Sequence, residues 1–204
     1  NGKMIYKTEH FKRMKKSAKA LGFKFNSEIL NIKPEKDGIL RVLLSRDGFF
    51  ETEYLPLNEI LTKKIAISKT PINSKEAMLY HKTTCRPWYE KHMEKIKNRE
   101  VFDVIFFNEK NELTEGTRTN IVLHIDGKMY TPPVKSGILN GILRQKMMSG
   151  TTTLNPLTSV LSLKGRGRIA NNNIIEKKLY LEDLKKADKI FCINSVRGIV
   201  EVEL

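Results

Sequence analysis

From Phe102 to Tyr130 the chain alternates strand-like and turn-like segments, and this stretch most limits what it can fold into. Phe102–Phe107 is a strongly apolar run of strand length. Thr119–Ile125 and Lys128–Tyr130 flank Asp126-Gly127, a dipeptide suited to the left-handed positions of a hairpin turn. Ile190–Ile193 reads as a buried strand and Ile199–Val202 as the closing one. Between them lie helical patterns at Pro87–Lys97, with proline tolerated in the first turn, and at Leu139–Met148 and Leu181–Ala187. The class is therefore α+β.

The first third forms a smaller unit of the same class. Asn1-Gly2 is a turn signal. Thr8 is a suitable N-cap for a helix whose Phe11, Met14, Ala18 and Leu21 repeat at helical spacing until Gly22 ends it. A short helical piece starts at Ser27, and Pro34 breaks the chain. Ile39–Ser45 and Phe49–Leu55 flank Arg46-Asp47-Gly48 as a hairpin, and Lys64–Ser68 is a further strand. The expected division is a small α+β domain over 1–72 and a larger one over 73–204. Within the latter, 149–173 turns to Thr, Ser, Asn and Gly, with a basic Lys164-Gly165-Arg166-Gly167-Arg168, and reads as an inserted surface loop.

Composition removes several alternatives. No apolar run approaches the ~20 residues of a membrane span, and no signal peptide opens the chain. Cys85 and Cys192 make neither a disulfide framework nor a metal spacing, so no metal is expected and the protein reads as cytoplasmic. A net charge of +14 raises the question of nucleic acid. The basic residues are mostly Lys and are spread along the chain, without finger spacing or an Arg-aromatic stripe. A solvated basic surface is the expected reading, with no nucleic-acid partner; a basic nucleic-acid-binding module is the alternative from another class.

The chemistry-bearing residues fall in four short strings. His81-Lys82-Thr83-Thr84-Cys85-Arg86 carries an amine able to condense with an aldehyde. Leu113-Thr114-Glu115-Gly116-Thr117-Arg118-Thr119-Asn120 carries a carboxylate, which on spacing alone caps a turn equally well. Gly137-Ile138-Leu139-Asn140-Gly141-Ile142-Leu143-Arg144 supplies a glycine turn into a helix, where backbone N–H groups attract phosphate. Asn194-Ser195-Val196-Arg197-Gly198 adds a hydroxyl and a cation. Trp88 and Tyr89 read as helix-to-core anchors, and Cys85 as a small buried residue.

Together these strings resemble the class IV pyridoxal-phosphate (PLP) enzymes, of the two-domain D-amino-acid-aminotransferase-like fold. Their wording is most similar to the aminodeoxychorismate lyases of that family. The resemblance covers about Lys3 to Val202 and implies PLP as cofactor, with Lys82 as the catalytic lysine that carries it. Glu115 would face the pyridine nitrogen, and Asn120 would orient either the loop or the Glu115 carboxylate. Leu139 would pack on the ring. Gly141, the amides of Ile142 and Leu143, Ser195, and Arg13 of His10-Phe11-Lys12-Arg13 would hold the phosphate. Arg118 and Arg197, and after them Arg86, would meet a dicarboxylate substrate. The implied reaction converts 4-amino-4-deoxychorismate to 4-aminobenzoate and pyruvate, a step toward folate. The implied partners are a second copy of the chain, as a homodimer, and an aminodeoxychorismate synthase. A class IV aminotransferase acting on D- or branched-chain amino acids is the alternative within the family. Members of the family begin some tens of residues earlier, so the small domain is expected to lack its first strands.

Overall fold

The computed structural model describes residues 4–151 and 174–204. Its chain forms two compact units, Asn1–Glu59 and Ile60–Leu204. The turn expected at Asn1-Gly2, most of the 149–173 insertion and its basic Gly-Arg string lie outside the described residues.

In the first unit, α1 (Lys7–Leu21) buries Phe11 and Ala18, which lie two helical turns apart on one face. It starts one residue before Thr8, which is not its cap. Tyr6 instead adopts a left-handed conformation (φ 52°) and its carbonyl accepts from His10 N–H at 3.0 Å, opening the helical ladder. At the other end Gly22 is left-handed (φ 72°), and the Phe23 amide returns to the Ala18 carbonyl at 2.8 Å. Without a Cβ, glycine takes that conformation at little cost. A 3-10 turn at Ser27–Asn31 follows, capped by the Asn26 side chain and burying Ile29. Strands β1 (Ile39–Leu44) and β2 (Phe50–Leu55) pair antiparallel in the expected hairpin, from Ile39 opposite Leu55 to Leu44 opposite Phe50.

The second unit is built on β3 (Ile65–Ile67), β4 (Asp103–Phe107), β5 (Leu113–Gly116), β6 (Asn120–Ile125), β7 (Lys128–Thr131), β8 (Ile174–Glu176), β9 (Lys189–Asn194) and β10 (Gly198–Val202). The main path runs β10-β9-β6-β5-β4-β3, with β7 pairing both β6 and β8. Lys64 bridges Glu203 in parallel, and the Ile65 amide donates to the Glu203 carbonyl at 2.7 Å. The two ends of the path thereby meet, and the sheet closes on itself. The strand read at Lys64–Ser68 accordingly belongs with the second unit, where it runs parallel to β4. Ile105, Leu113, Ile121, Leu123 and Cys192 fill the interior.

Helical segments cover this sheet. The pattern read as one helix over Pro87–Lys97 is two, α2 (Pro87–Glu90) and α3 (Met93–Lys97). The interruption at Lys91-His92 lets Tyr89 and Ile96 each bury on its own, while the His92 ring meets Phe106 edge-on at 5.2 Å. Helix α4 (Ile142–Met148) starts three residues later than its apolar pattern, because Leu139 and Asn140 remain an extended approach to its Gly141 cap. Helix α5 (Leu181–Lys186) begins where Asp183 accepts from the Tyr180 amide at 2.8 Å. No helix of the described residues is long and apolar enough to cross a membrane.

Candidate active site

Strand register gathers Glu115, Asn120 and the turn that carries Ser195 at one end of the closed sheet. Glu115, near the end of β5, stands opposite Asn120, the first residue of β6, and Asn120 stands opposite Ile193 on β9. Two residues beyond Ile193 is Ser195, in the β9–β10 turn. Helix α4 lies against β9. The Asn194 side chain organises that turn, accepting from the Val196 amide at 2.9 Å and the Arg197 amide at 2.7 Å. It also donates to the Arg118 carbonyl at 3.3 Å, so the turns carrying Arg118 and Arg197 are tied together.

Glu115 is 3% exposed and both its oxygens are occupied. One accepts from the Tyr89 hydroxyl at 3.1 Å and from an Arg86 guanidinium nitrogen at 3.3 Å. The other accepts from the Asn120 side-chain amide at 3.0 Å and the Leu139 backbone amide at 3.1 Å. Asn120 also donates to the Leu139 carbonyl at 2.9 Å, so Glu115, Asn120 and the Leu139 backbone form a closed ring of hydrogen bonds. Asn120 thus bonds directly to the carboxylate, and Glu115 is not a turn cap. Burial pushes its carboxyl up to about 7, against the opposing charges of Arg86 and Lys82 and the donors from Tyr89 and Leu139. Lys82 is exposed, in the non-helical segment before α2, and near enough for its charge to act on Glu115.

Two glycines allow this packing. A Cβ on Gly141 would overlap the Asn120 side-chain oxygen, and one on Gly116 would overlap the Asp103 carboxylate and come within 2.8 Å of Thr119 Oγ1. Asp103, which sequence reasoning missed, is wholly buried. Its carboxylate accepts from the amides of Val104 (2.8 Å), Thr117 (2.9 Å) and Arg118 (3.4 Å), from Thr119 Oγ1 (2.7 Å), and at short range from Thr117 Oγ1. The available signal was an acid at the head of an apolar strand, facing a loop with two threonines. Arg144 was missed too. It is 1% exposed, donates to the Asn140 side chain at 3.0 Å and the Pro132 carbonyl at 2.9 Å, and pairs closely with Glu176.

The arginines expected to meet substrate differ in placement. Arg86 spends its donors inside the unit, on Glu115 and on the Thr117 carbonyl at 2.8 Å, with its guanidinium 4.2 Å from the Tyr89 ring centre. Arg118 donates to the Phe102 carbonyl at 2.7 Å and lies over that ring. Arg197 is partly buried, and burial together with the like charge of Arg118 holds its guanidinium below the usual range. Leu139, Ile142 and Leu143 are buried beside Gly141. Arg13 lies on α1 in the first unit, with a guanidinium nitrogen 3.5 Å from His10 Nδ1. Cys85 is exposed, not buried, because the segment turns Arg86 and not Cys85 toward Glu115 and Tyr89; Cys192 is buried on β9. Tyr89 anchors α2 in the core, as read, but its hydroxyl also serves Glu115. Among the described residues no group of three or more His, Cys, Asp or Glu could hold a metal ion.

The donor set fits a pyridine ring nitrogen opposite Glu115. A carboxyl raised by burial, held by three neutral donors and the Arg86 guanidinium and close to Lys82, is the group that a protonated ring nitrogen would stabilise further. Comparison with known proteins shows the family and its cofactor. The model of the class IV amino-transferase family matches residues 1–204, so the chain belongs to that family of PLP-dependent enzymes. It is 26% identical over 211 residues to the Schizosaccharomyces pombe protein named "Putative aminodeoxychorismate lyase", covering 98% of this chain and 84% of that one. The crystal structure of a "Putative amino-acid aminotransferase" from Mesorhizobium loti shares the fold with a TM-score of 0.74 and 24% identity, over 96% of this chain and 89% of that one. The branched-chain amino acid aminotransferase of Thermobaculum terrenum, solved in its PLP form, matches with a TM-score of 0.64 and 17% identity, over 96% and 68% of the two chains.

Proposed function

We propose that this protein binds PLP through Lys82 and converts 4-amino-4-deoxychorismate to 4-aminobenzoate and pyruvate. The observation that carries the cofactor reading is the Glu115 carboxylate, held by four donors within reach of the Lys82 charge. When bound, the cofactor supplies an electron sink for charge leaving the substrate's α-carbon. Lys82 anchors it by its amine and then moves the proton at that carbon. Glu115 holds the proton on the ring nitrogen, while Asn120 and the Leu139 amide keep Glu115 aimed. Leu139 supports the ring. Gly141 with the amides of Ile142 and Leu143, and Ser195 Oγ, bind the phosphate. Arg118 and Arg197 supply positive charge toward the two substrate carboxylates. Loss of pyruvate makes the substrate ring aromatic, so the protein has to provide chiefly orientation and proton transfer. By the same resemblance the working form is a homodimer, linked in function to an aminodeoxychorismate synthase.

The match along nearly the whole chain to a protein named for the lyase reaction favours this reading. An aminotransferase is the second reading, supported by the aminotransferase structures that share the fold. Supplying the PLP-loaded protein with aminodeoxychorismate, and separately with branched-chain or D-amino acids plus 2-oxoglutarate, separates them. Accumulation of fluorescent 4-aminobenzoate is expected. Glutamate formation without 4-aminobenzoate would replace the lyase reading with the second.

A further inference from the structure

Arg86 stands four residues after Lys82, and the scheme above gives it no task. Its surroundings are not those of a surface ion pair: its side chain is 14% exposed and its Glu115 partner's is 4%. One guanidinium nitrogen reaches Glu115 at 3.3 Å and the other the Thr117 carbonyl at 2.8 Å, while the group lies 4.2 Å over the ring of Tyr89. The Tyr89 hydroxyl goes to the same Glu115 oxygen. Arg86 is thus braced on two sides and directed at one oxygen of the carboxylate.

The charges around Glu115 show why that matters. The groups facing it are Lys82 and Arg86 from the segment before α2, Tyr89 from α2, Asn120 from β6 and the Leu139 amide. Only the first two are cations. Lys82 is the amine that the proposed reaction uses, so its charge cannot be constant through a cycle. A guanidinium does not lose its proton at any working pH. Removing it would leave a deeply buried carboxylate without a permanent counter-charge, and such groups neutralise.

We propose that Arg86 is a positioning residue that aims the Glu115 carboxylate and, as the neighbouring cation whose charge is fixed through a cycle, favours its ionised form. The proposal rests on the reading of Glu115 as the partner of the ring nitrogen, and it reassigns an arginine expected to meet substrate. Its test needs no cofactor. The chain has a single tryptophan, Trp88, whose ring meets that of Tyr89 edge-on at 5.8 Å. Trp88 fluorescence of the full chain, free of PLP and titrated from pH 5 to 9, should report Glu115. A transition near pH 7 is expected in the wild type and absent in Glu115→Gln. Arg86→Gln should raise its midpoint by at least one pH unit, and Arg86→Lys by less than half as much. A folded Arg86→Gln with the wild-type midpoint overturns the proposal. Should Arg86→Gln alone fail to fold, the double variant with Glu115→Gln decides. It folds if the task of Arg86 is to compensate that carboxylate. It stays unfolded, against the proposal, if Arg86 serves only Thr117 and Tyr89. A shifted midpoint in a protein that binds no PLP would uphold the Arg86–Glu115 pairing and sink the cofactor reading instead.

Discussion

Asp103 holds the loop that presents Glu115, so replacing it tests how this end of the sheet is built. The carboxylate takes five donors and is wholly buried. In Asp103→Ala the hydroxyls of Thr117 and Thr119 can rotate toward other acceptors, and the Arg118 amide, at 3.4 Å, loses little. The Val104 amide cannot turn away, and a buried donor left unmade costs about 1–3 kcal/mol. The Thr117 amide also reaches the Val104 carbonyl at 3.2 Å and keeps that partner. Relief of the buried charge offsets part of the cost, leaving a net loss of roughly 2 kcal/mol. For a chain of this size that corresponds to a fall in melting temperature of about 4–8 °C. Asp103→Asn keeps one carbonyl oxygen for the Val104 amide and should lose about half as much. Thermal and urea unfolding followed by circular dichroism measure both. A loss under about 0.5 kcal/mol in the alanine variant would mean that the Val104 amide finds another partner, and that Asp103 does not clamp the loop.

Three further expectations concern the same unit. Gly141→Ala should drive the Asn120 side chain from its place and break its bond to Glu115, weakening PLP binding at least tenfold in an equilibrium titration; unchanged affinity would show that the close approach is dispensable. Glu112 is also buried, and although burial acts to raise it, Lys178 (2.6 Å), Ser136 (2.7 Å) and Asn108 (3.1 Å) hold its carboxyl at about 2. Its stabilising contribution is present above the ordinary carboxyl range and lost as pH falls toward 2, so Glu112→Gln should flatten urea midpoints between pH 5 and 2. Glu115 has the opposite sign: with its folded carboxyl raised to about 7, stability present at low pH is lost as pH rises from about 4.5 to 7, and Glu115→Gln should remove that slope.

Local chemistry was legible in the sequence where its partners are near. Gly22 ends α1 as read, and the hairpins of β1–β2 and β6–β7 follow from Arg46-Asp47-Gly48 and Asp126-Gly127. Glu115, Asn120 and Leu139 were singled out in two motif strings, and the fold joins them by hydrogen bonds. Features set by distant contacts were not legible. Strand β5 is four residues with Thr, Glu and Gly among them, and it is a strand because Asp103, Asn120 and Leu139 satisfy its loop and side chains. Strand β8 is three residues, fixed by parallel pairing with β7, and β3 was read as a strand but not its parallel pairing with β4. The apolar spacing over Pro87–Lys97 showed which residues bury but not the break at Lys91-His92. Arg86 illustrates the same limit: a motif gives its position, and only the fold shows that it points at Glu115.

The measurement closest to the central claim is an absorbance spectrum of the purified chain with PLP, compared with that of Lys82→Ala. The account predicts a band near the visible edge that borohydride reduction fixes to Lys82 and that the alanine variant lacks. The same band in Lys82→Ala, or a reduced cofactor found on another lysine, would contradict it.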